Sequence, residues 1–120
     1  MSARDRDPNC IFCRIVADEL PSTRVAEDDL AIAFRDIAPQ APTHILVVPR
    51  VHIPSAANLT DDDAPLSGHL LAMCAQVARA EGIEQGGYRI STAIGKWAGQ
   101  TVDHVHFHVM GGRPNRSTAA

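Results

Sequence analysis

Three histidines fall at alternate positions in His104-Val105-His106-Phe107-His108-Val109. In an extended strand successive side chains point to opposite faces, so this spacing sets three imidazoles on one side and Val105, Phe107 and Val109 on the other. Three kinds of chemistry suit such a row. It can be a polar face turned to solvent, although three of the chain's six histidines within five residues is a heavy concentration for that purpose. It can supply an open tetrahedral zinc, with two His at i and i+2 and a third ligand from elsewhere. Or a neutral imidazole can attack phosphorus, form a phosphohistidine-type intermediate and pass the group to water. The stretch Gly95-Lys96-Trp97-Ala98-Gly99-Gln100-Thr101 favours the last. Its glycines let backbone approach a ligand, and it offers amide, hydroxyl and backbone N–H donors for phosphate oxygens.

The elements that position these groups follow from the apolar pattern. Ile11, Phe12, Ile15 and Val16, followed by Leu20-Pro21, predict a short helix ending before the proline. Thr23 to Glu27 and Leu30 to Phe34 read as a hairpin around Asp28-Asp29, and Thr43 to Val48 as a third strand closed by Pro49. From Pro65, the residues Leu66, Leu70, Met73, Cys74 and Val77 recur at spacings of three and four, one apolar stripe on a helix that stops near Gly82. Tyr88 to Ile94 and His104 to Met110 supply a fourth and a fifth strand. This order predicts an α+β fold: an antiparallel sheet of about five strands, one main helix and a short N-terminal helix. The expected division is a loose arm over 1–9, one domain over 10–113 and a polar tail over 114–120.

Composition narrows the function. A chain of 120 residues with 45% hydrophobic and 21% charged content is one globular domain. A net charge of -3 with scattered basic residues provides no field for a polyanionic backbone, so no nucleic-acid partner is expected, while a small phosphorylated ligand is compatible. The charged N-terminus lacks a signal-peptide core and no apolar run approaches the roughly 20 residues of a membrane span. A cytoplasmic protein without a membrane partner is expected. Cys10-Ile-Phe-Cys13 is compatible with a redox pair, two buried thiols, or half of a zinc site, for which His52 and His104 are available as further ligands. Cys74, on the helix stripe, reads as core.

The histidine row, written His-φ-His-φ-His-φ-φ with φ apolar, resembles the signature of the histidine-triad superfamily. The surrounding sequence, including 33–44 (Ala-Phe-Arg-Asp-Ile-Ala-Pro-Gln-Ala-Pro-Thr-His) and Gly99-Gln100-Thr101, is similar to its branch of purine nucleoside phosphoramidate hydrolases over residues 10–113. The resemblance implies that His106 is the nucleophile, that His104 and His108 bind phosphate oxygens or move protons, that His44 orients the triad, and that Thr101 stands beside the leaving group. It implies ribose held by Asp36, a purine slot formed by Ile11, Phe12, Leu20, Phe34 and Ile37, and phosphate contacts from Gly99 and Gln100. It also implies a purine nucleotide substrate, a homodimer, no cofactor required for catalysis, and a structural zinc on Cys10, Cys13, His52 and His104. Ala93 stands where the family carries an Asn that reaches the substrate, and the tail lacks a tryptophan-containing C-terminus; Trp97 is a candidate for the leaving-group side instead. Two rivals remain on the same residues: a nucleotide-binding or scaffold protein with little turnover, and a dinucleoside polyphosphate hydrolase or nucleotidyl transferase.

Overall fold

The computed structural model describes residues 4–115. Its first apolar cluster closes into a helix of under two turns, α1 (Ile11–Val16). Cys10 caps it, Sγ accepting the Cys13 N–H at 3.4 Å. The other end is finished from a distance, by the Arg24 guanidinium donating to Ile15 O at 2.8 Å and to Asp18 Oδ1 at 2.7 Å. A helix this short does not hold in water by itself, so these bonds and its burial must supply its order.

Five strands follow: β1 (Arg24–Glu27), β2 (Ala31–Arg35), β3 (Thr43–Pro49), β4 (Tyr88–Ser91) and β5 (Phe107–Gly111). They form one antiparallel sheet in the order β1-β2-β3-β5-β4. The β1–β2 hairpin turns on Asp28, whose Oδ1 accepts the N–H groups of Leu30 at 2.9 Å and Ala31 at 3.0 Å. Such a side-chain-closed turn is what an Asp at this place does well. Central β3 is buried along its whole length, as a strand covered on both faces must be.

The main helix, α2 (Ala64–Ala80), covers one face. Thr60 and Asp63 form a capping box on the 3-10 turn Asp61–Asp63 that runs into it, and Pro65 lies in its first turn. The Arg4 guanidinium and the Thr60 N–H hold the Asp63 carboxyl well below its usual range. Leu70, Met73, Cys74, Val77 and Ala78 of α2 pack onto Ala31, Ala33, Ile45, Val47 and Val109. Burial pushes the Cys74 thiol up to about 12, which makes it an inert core group. On the opposite face, Ile32, Phe34, Leu46 and Val48 are covered by Phe12, Cys10 and Cys13 at the N-terminal end.

Two expected strands come out shorter, for one reason. β5 begins at Phe107 rather than His104, because the preceding chain swings out of the ladder and Val105 N–H donates to Ile53 O at 2.6 Å. β4 ends at Ser91 rather than Ile94: its last partner is His108, and beyond Phe107 there is no β5 strand left to pair with. Of the expected arm, residues 1–3 lie outside the described residues. Within 4–9, Arg4 O accepts the His52 N–H at 3.0 Å, Arg4 pairs with Asp63 and Arg6 with Glu19. Of the expected tail, 116–120 likewise lie outside the described residues.

Candidate active site

His44 and Leu46 of β3 and His108 of β5 lie on the sheet face away from α2, since Leu46 pairs with His108 while the flanking Ile45 and Val109 enter the helix-side core. Where α1 leans on this face, a cleft of about 250 Å³ opens. Ile11, Phe12 and Ile15 of α1 wall one side, Phe34, Asp36, Ile37 and Leu46 come from the sheet, and Thr101, Val102, His106 and His108 complete it.

The hydrogen bonds fix which nitrogen of each imidazole carries its proton. His106 Nδ1 lies 2.7 Å from the carbonyl oxygen of His104. A carbonyl only accepts, so the proton sits on Nδ1 and the Nε2 lone pair is free. The Phe12 ring stands edge-on to His106, centroids 5.1 Å apart at 87°, and holds the imidazole upright. Thr92 Oγ1 donates to His106 O at 2.8 Å and steadies the backbone beneath it. Gln40 N–H donates to His44 Nδ1 at 3.0 Å, so His44 carries its proton on Nε2. That Nε2 lies 2.8 Å from His108 Nδ1, which must therefore accept, leaving the His108 proton on Nε2. Burial, with His106 and His44 close by, pushes His108 down to about 4 despite Asp36; burial also lowers His44. The neutral forms that this chain of bonds requires are thus the favoured ones at neutral pH. The cleft presents one free imidazole lone pair beside one imidazole N–H donor, a pairing able to attack an electrophile and to donate to an oxygen or nitrogen on it.

The third triad histidine is elsewhere. His104 is fully buried and does not line the cleft. Its Nε2–H donates to Pro49 O at 2.9 Å, and its Nδ1 faces the thiols of Cys10 and Cys13 at 3.4 and 3.5 Å. No ring nitrogen is left for a phosphate. His52 Nδ1 lies 3.3 Å from Cys13 Sγ, and the four donor atoms of Cys10, Cys13, His52 and His104 all lie within 4.8 Å of one another. Zinc at about 2.3 Å from sulfur and 2.0–2.1 Å from nitrogen places tetrahedral S and N ligands about 3.6 Å apart, close to these separations. The residues therefore fit a closed tetrahedral zinc, and the Pro49 carbonyl fixes the tautomer of His104 in the way an outer partner of a metal ligand does. Without the ion, burial pushes the Cys10 thiol up to about 11 and His104 down to about 4.

The remaining candidates divide. Ile11, Phe12, Phe34, Asp36, Ile37 and Thr101 all line the cleft, Ile37 as a rim residue 99% exposed. Leu20, Gly99 and Gln100 do not. Trp97 does not reach the cleft wall either, and is 98% exposed at the tip of its loop. Ile15, Pro21, Ser22, Leu46 and Val102 also line the cleft. Of these, Leu46 was discoverable by alternation from His44, but the others depend on how α1 docks, which carries no periodic signal.

The HIT domain family profile matches residues 17–115. The purine nucleoside phosphoramidase of Escherichia coli (strain K12) is 43% identical over 104 residues, 87% of this chain and 87% of that protein. A solved HIT family hydrolase from Clostridium thermocellum superposes with a TM-score of 0.91 at 38% identity, covering 95% of this chain and 99% of its own. One from Legionella pneumophila gives 0.87 at 44% identity, covering 88% and 95%.

Proposed function

Since the chain belongs to the HIT family and its homologues include hydrolases, we propose that it hydrolyses purine nucleoside 5'-phosphoramidates through a nucleotidyl-His106 intermediate. The observation that carries this reading is the His106 tautomer: an Nδ1–H anchored on His104 O leaves Nε2 as a nucleophile inside the cleft. Nε2 attacks phosphorus and the P–N bond breaks, its electron pair leaving on the amine nitrogen. His108 Nε2–H hydrogen-bonds to that nitrogen, which takes up one proton from solvent as the bond breaks and departs as the neutral amine. Water then attacks the nucleotidyl-histidine and returns one proton to solvent, releasing the nucleoside monophosphate and restoring the His106 lone pair. The nucleotidylated imidazole is cationic, and the His104 carbonyl on its Nδ1–H stabilises that charge.

The base lies among Ile11, Phe12, Ile15 and Phe34, Asp36 accepts from the ribose hydroxyls, and Thr101 faces the leaving group. Zinc on Cys10, Cys13, His52 and His104 supplies structural pinning of the N-terminal segment and takes no part in bond making. Two copies would pair over the partly exposed Ile90 of β4 and Leu71 of α2. No helix among the described residues is long and apolar enough to cross a membrane. The test is incubation with adenosine 5'-phosphoramidate, quenched within one turnover and read by intact mass. Wild type is expected to gain one AMP moiety on His106 and to release AMP; His106→Ala is expected to do neither. Turnover by His106→Ala would refute the covalent route. Tight AMP binding by a wild type that never turns over would favour a binding protein, the reading to which Ala93 points.

A further inference from the structure

One side chain holds the loop that leads into the triad. Gln100 Oε1 accepts the Gly95 N–H at 2.8 Å, its Nε2 donates to Pro54 O at 2.7 Å and to Val102 O at 2.9 Å, and its own N–H donates to Gly95 O at 3.1 Å. Both amide hydrogens are spent on carbonyls, so none is left to point at a phosphate. Little else fixes this loop. Residues 95–99 are all exposed, their only regular structure is the single 3-10 turn Lys96–Ala98, and Gly95 and Gly99 bracket it with φ of 80° and 93°. Such a segment, without buried contacts, belongs to the low-stability end of a fold.

The places to which Gln100 ties the loop matter. Pro54 follows Ile53, whose carbonyl accepts the Val105 N–H and so holds the triad segment outside the ladder. Thr101 and Val102, on the other side of Gln100, form the cleft wall next to His106. A single amide therefore sets the spacing between that wall and the chain carrying the nucleophile. We infer that Gln100 is a positioning residue: it does not touch the nucleotide but fixes Thr101 and Val102 against His106 for nucleotidyl transfer. This rests on the reaction proposed above.

The experiment compares wild type with Gln100→Ala, which removes every side-chain bond, and Gln100→Glu, which keeps the acceptor for Gly95 N–H but cannot donate to two carbonyls. Trp97 is the chain's only tryptophan and sits in the loop, so its fluorescence anisotropy decay reads loop order without turnover. Both variants are expected to give faster Trp97 depolarisation and faster amide exchange over 95–102. AMP affinity and KM for the phosphoramidate should stay close to wild type while kcat falls, by about 10- to 100-fold for a displacement on the ångström scale. Gln100→Glu is expected to lie between wild type and Gln100→Ala in loop order. Loss of AMP affinity in step with kcat, with loop exchange unchanged, would make Gln100 a direct ligand and overturn the inference. An unchanged kcat on a loosened loop would overturn it too. If wild type forms no adduct on His106, the proposed reaction falls, while the anisotropy and exchange data still decide whether Gln100 holds the loop.

Discussion

Replacing His44 tests the proton arrangement most directly, because His44 lines no part of the cleft yet decides what His108 offers there. In His44→Ala the 2.8 Å bond into His108 Nδ1 disappears, and the proton of His108 is free to move to that nitrogen. A hydrogen bond between buried neutral groups is worth about 1–1.5 kcal/mol, so the donor tautomer loses roughly a 10-fold preference. Where the donor is also missing in the transition state, loss of one preorganised hydrogen bond costs a further factor of about 10 or more, up to roughly 10³ in total. The expected result is a fall in kcat of roughly 10- to 10³-fold with KM little altered. His44→Gln can place an amide N–H near His108 Nδ1 and should recover part of the loss. The assay is single-turnover release of amine from adenosine 5'-phosphoramidate, with melting curves to separate folding from chemistry. His44 is 5% exposed, and the Gln40 N–H is orphaned with it, so a loss of about 1–3 kcal/mol in stability is also expected. A His44→Ala enzyme that folds and keeps wild-type kcat would refute the tautomer argument.

Purified protein is expected to carry one zinc per chain by elemental analysis, Cys13→Ser much less; chelation should lower the melting temperature of wild type towards that of the variant and leave the variant unmoved. Gly111→Ala would place a Cβ 2.8 Å from Ile83 Cδ1 and 3.1 Å from Tyr88 Cβ, so a destabilisation of about 1–3 kcal/mol is expected in urea melts. His108 titrates near 4 folded against 6.5 unfolded, so between these values the unfolded chain binds more protons and stability falls as the pH is lowered. Partial exposure limits the contribution to about 2 kcal/mol, and His108→Asn should remove that share of the difference between urea melts at the two ends of this window.

The apolar periodicities carried the architecture. The α2 stripe from Leu66 to Val77 is the one that packs, the Asp28 turn makes the expected hairpin, and the sheet has the expected five strands. What alternation could not convey is where a ladder stops. Strand length depends on the partner, and the hydrogen bond from Val105 to Ile53 removes His104 and His106 from the sheet although their spacing is that of a strand. The cleft was legible where chemistry-bearing types mark it, at Asp36, Thr101, His106 and His108. It was not legible where α1 docks, because Ile15, Pro21 and Ser22 become lining only through a tertiary contact that no local pattern encodes.

That break in the strand is also what divides the three histidines between two places, the cleft and the Cys/His cluster. Had the ladder continued to His104, three rings would share one face and compete for one ligand. Instead His104 turns into the interior, where its Nε2 meets Pro49 O and its Nδ1 meets two thiols, while its backbone carbonyl remains under the His106 ring. The same residue thus contributes a side chain to the Cys/His cluster and a main-chain acceptor to the cleft. Any shift of the cluster moves that acceptor, and with it the orientation of the His106 lone pair. The N-terminal cysteines are therefore coupled to the cleft through one residue's backbone, with Phe12, edge-on to His106 and 6.0 Å from the His104 ring, as the second link.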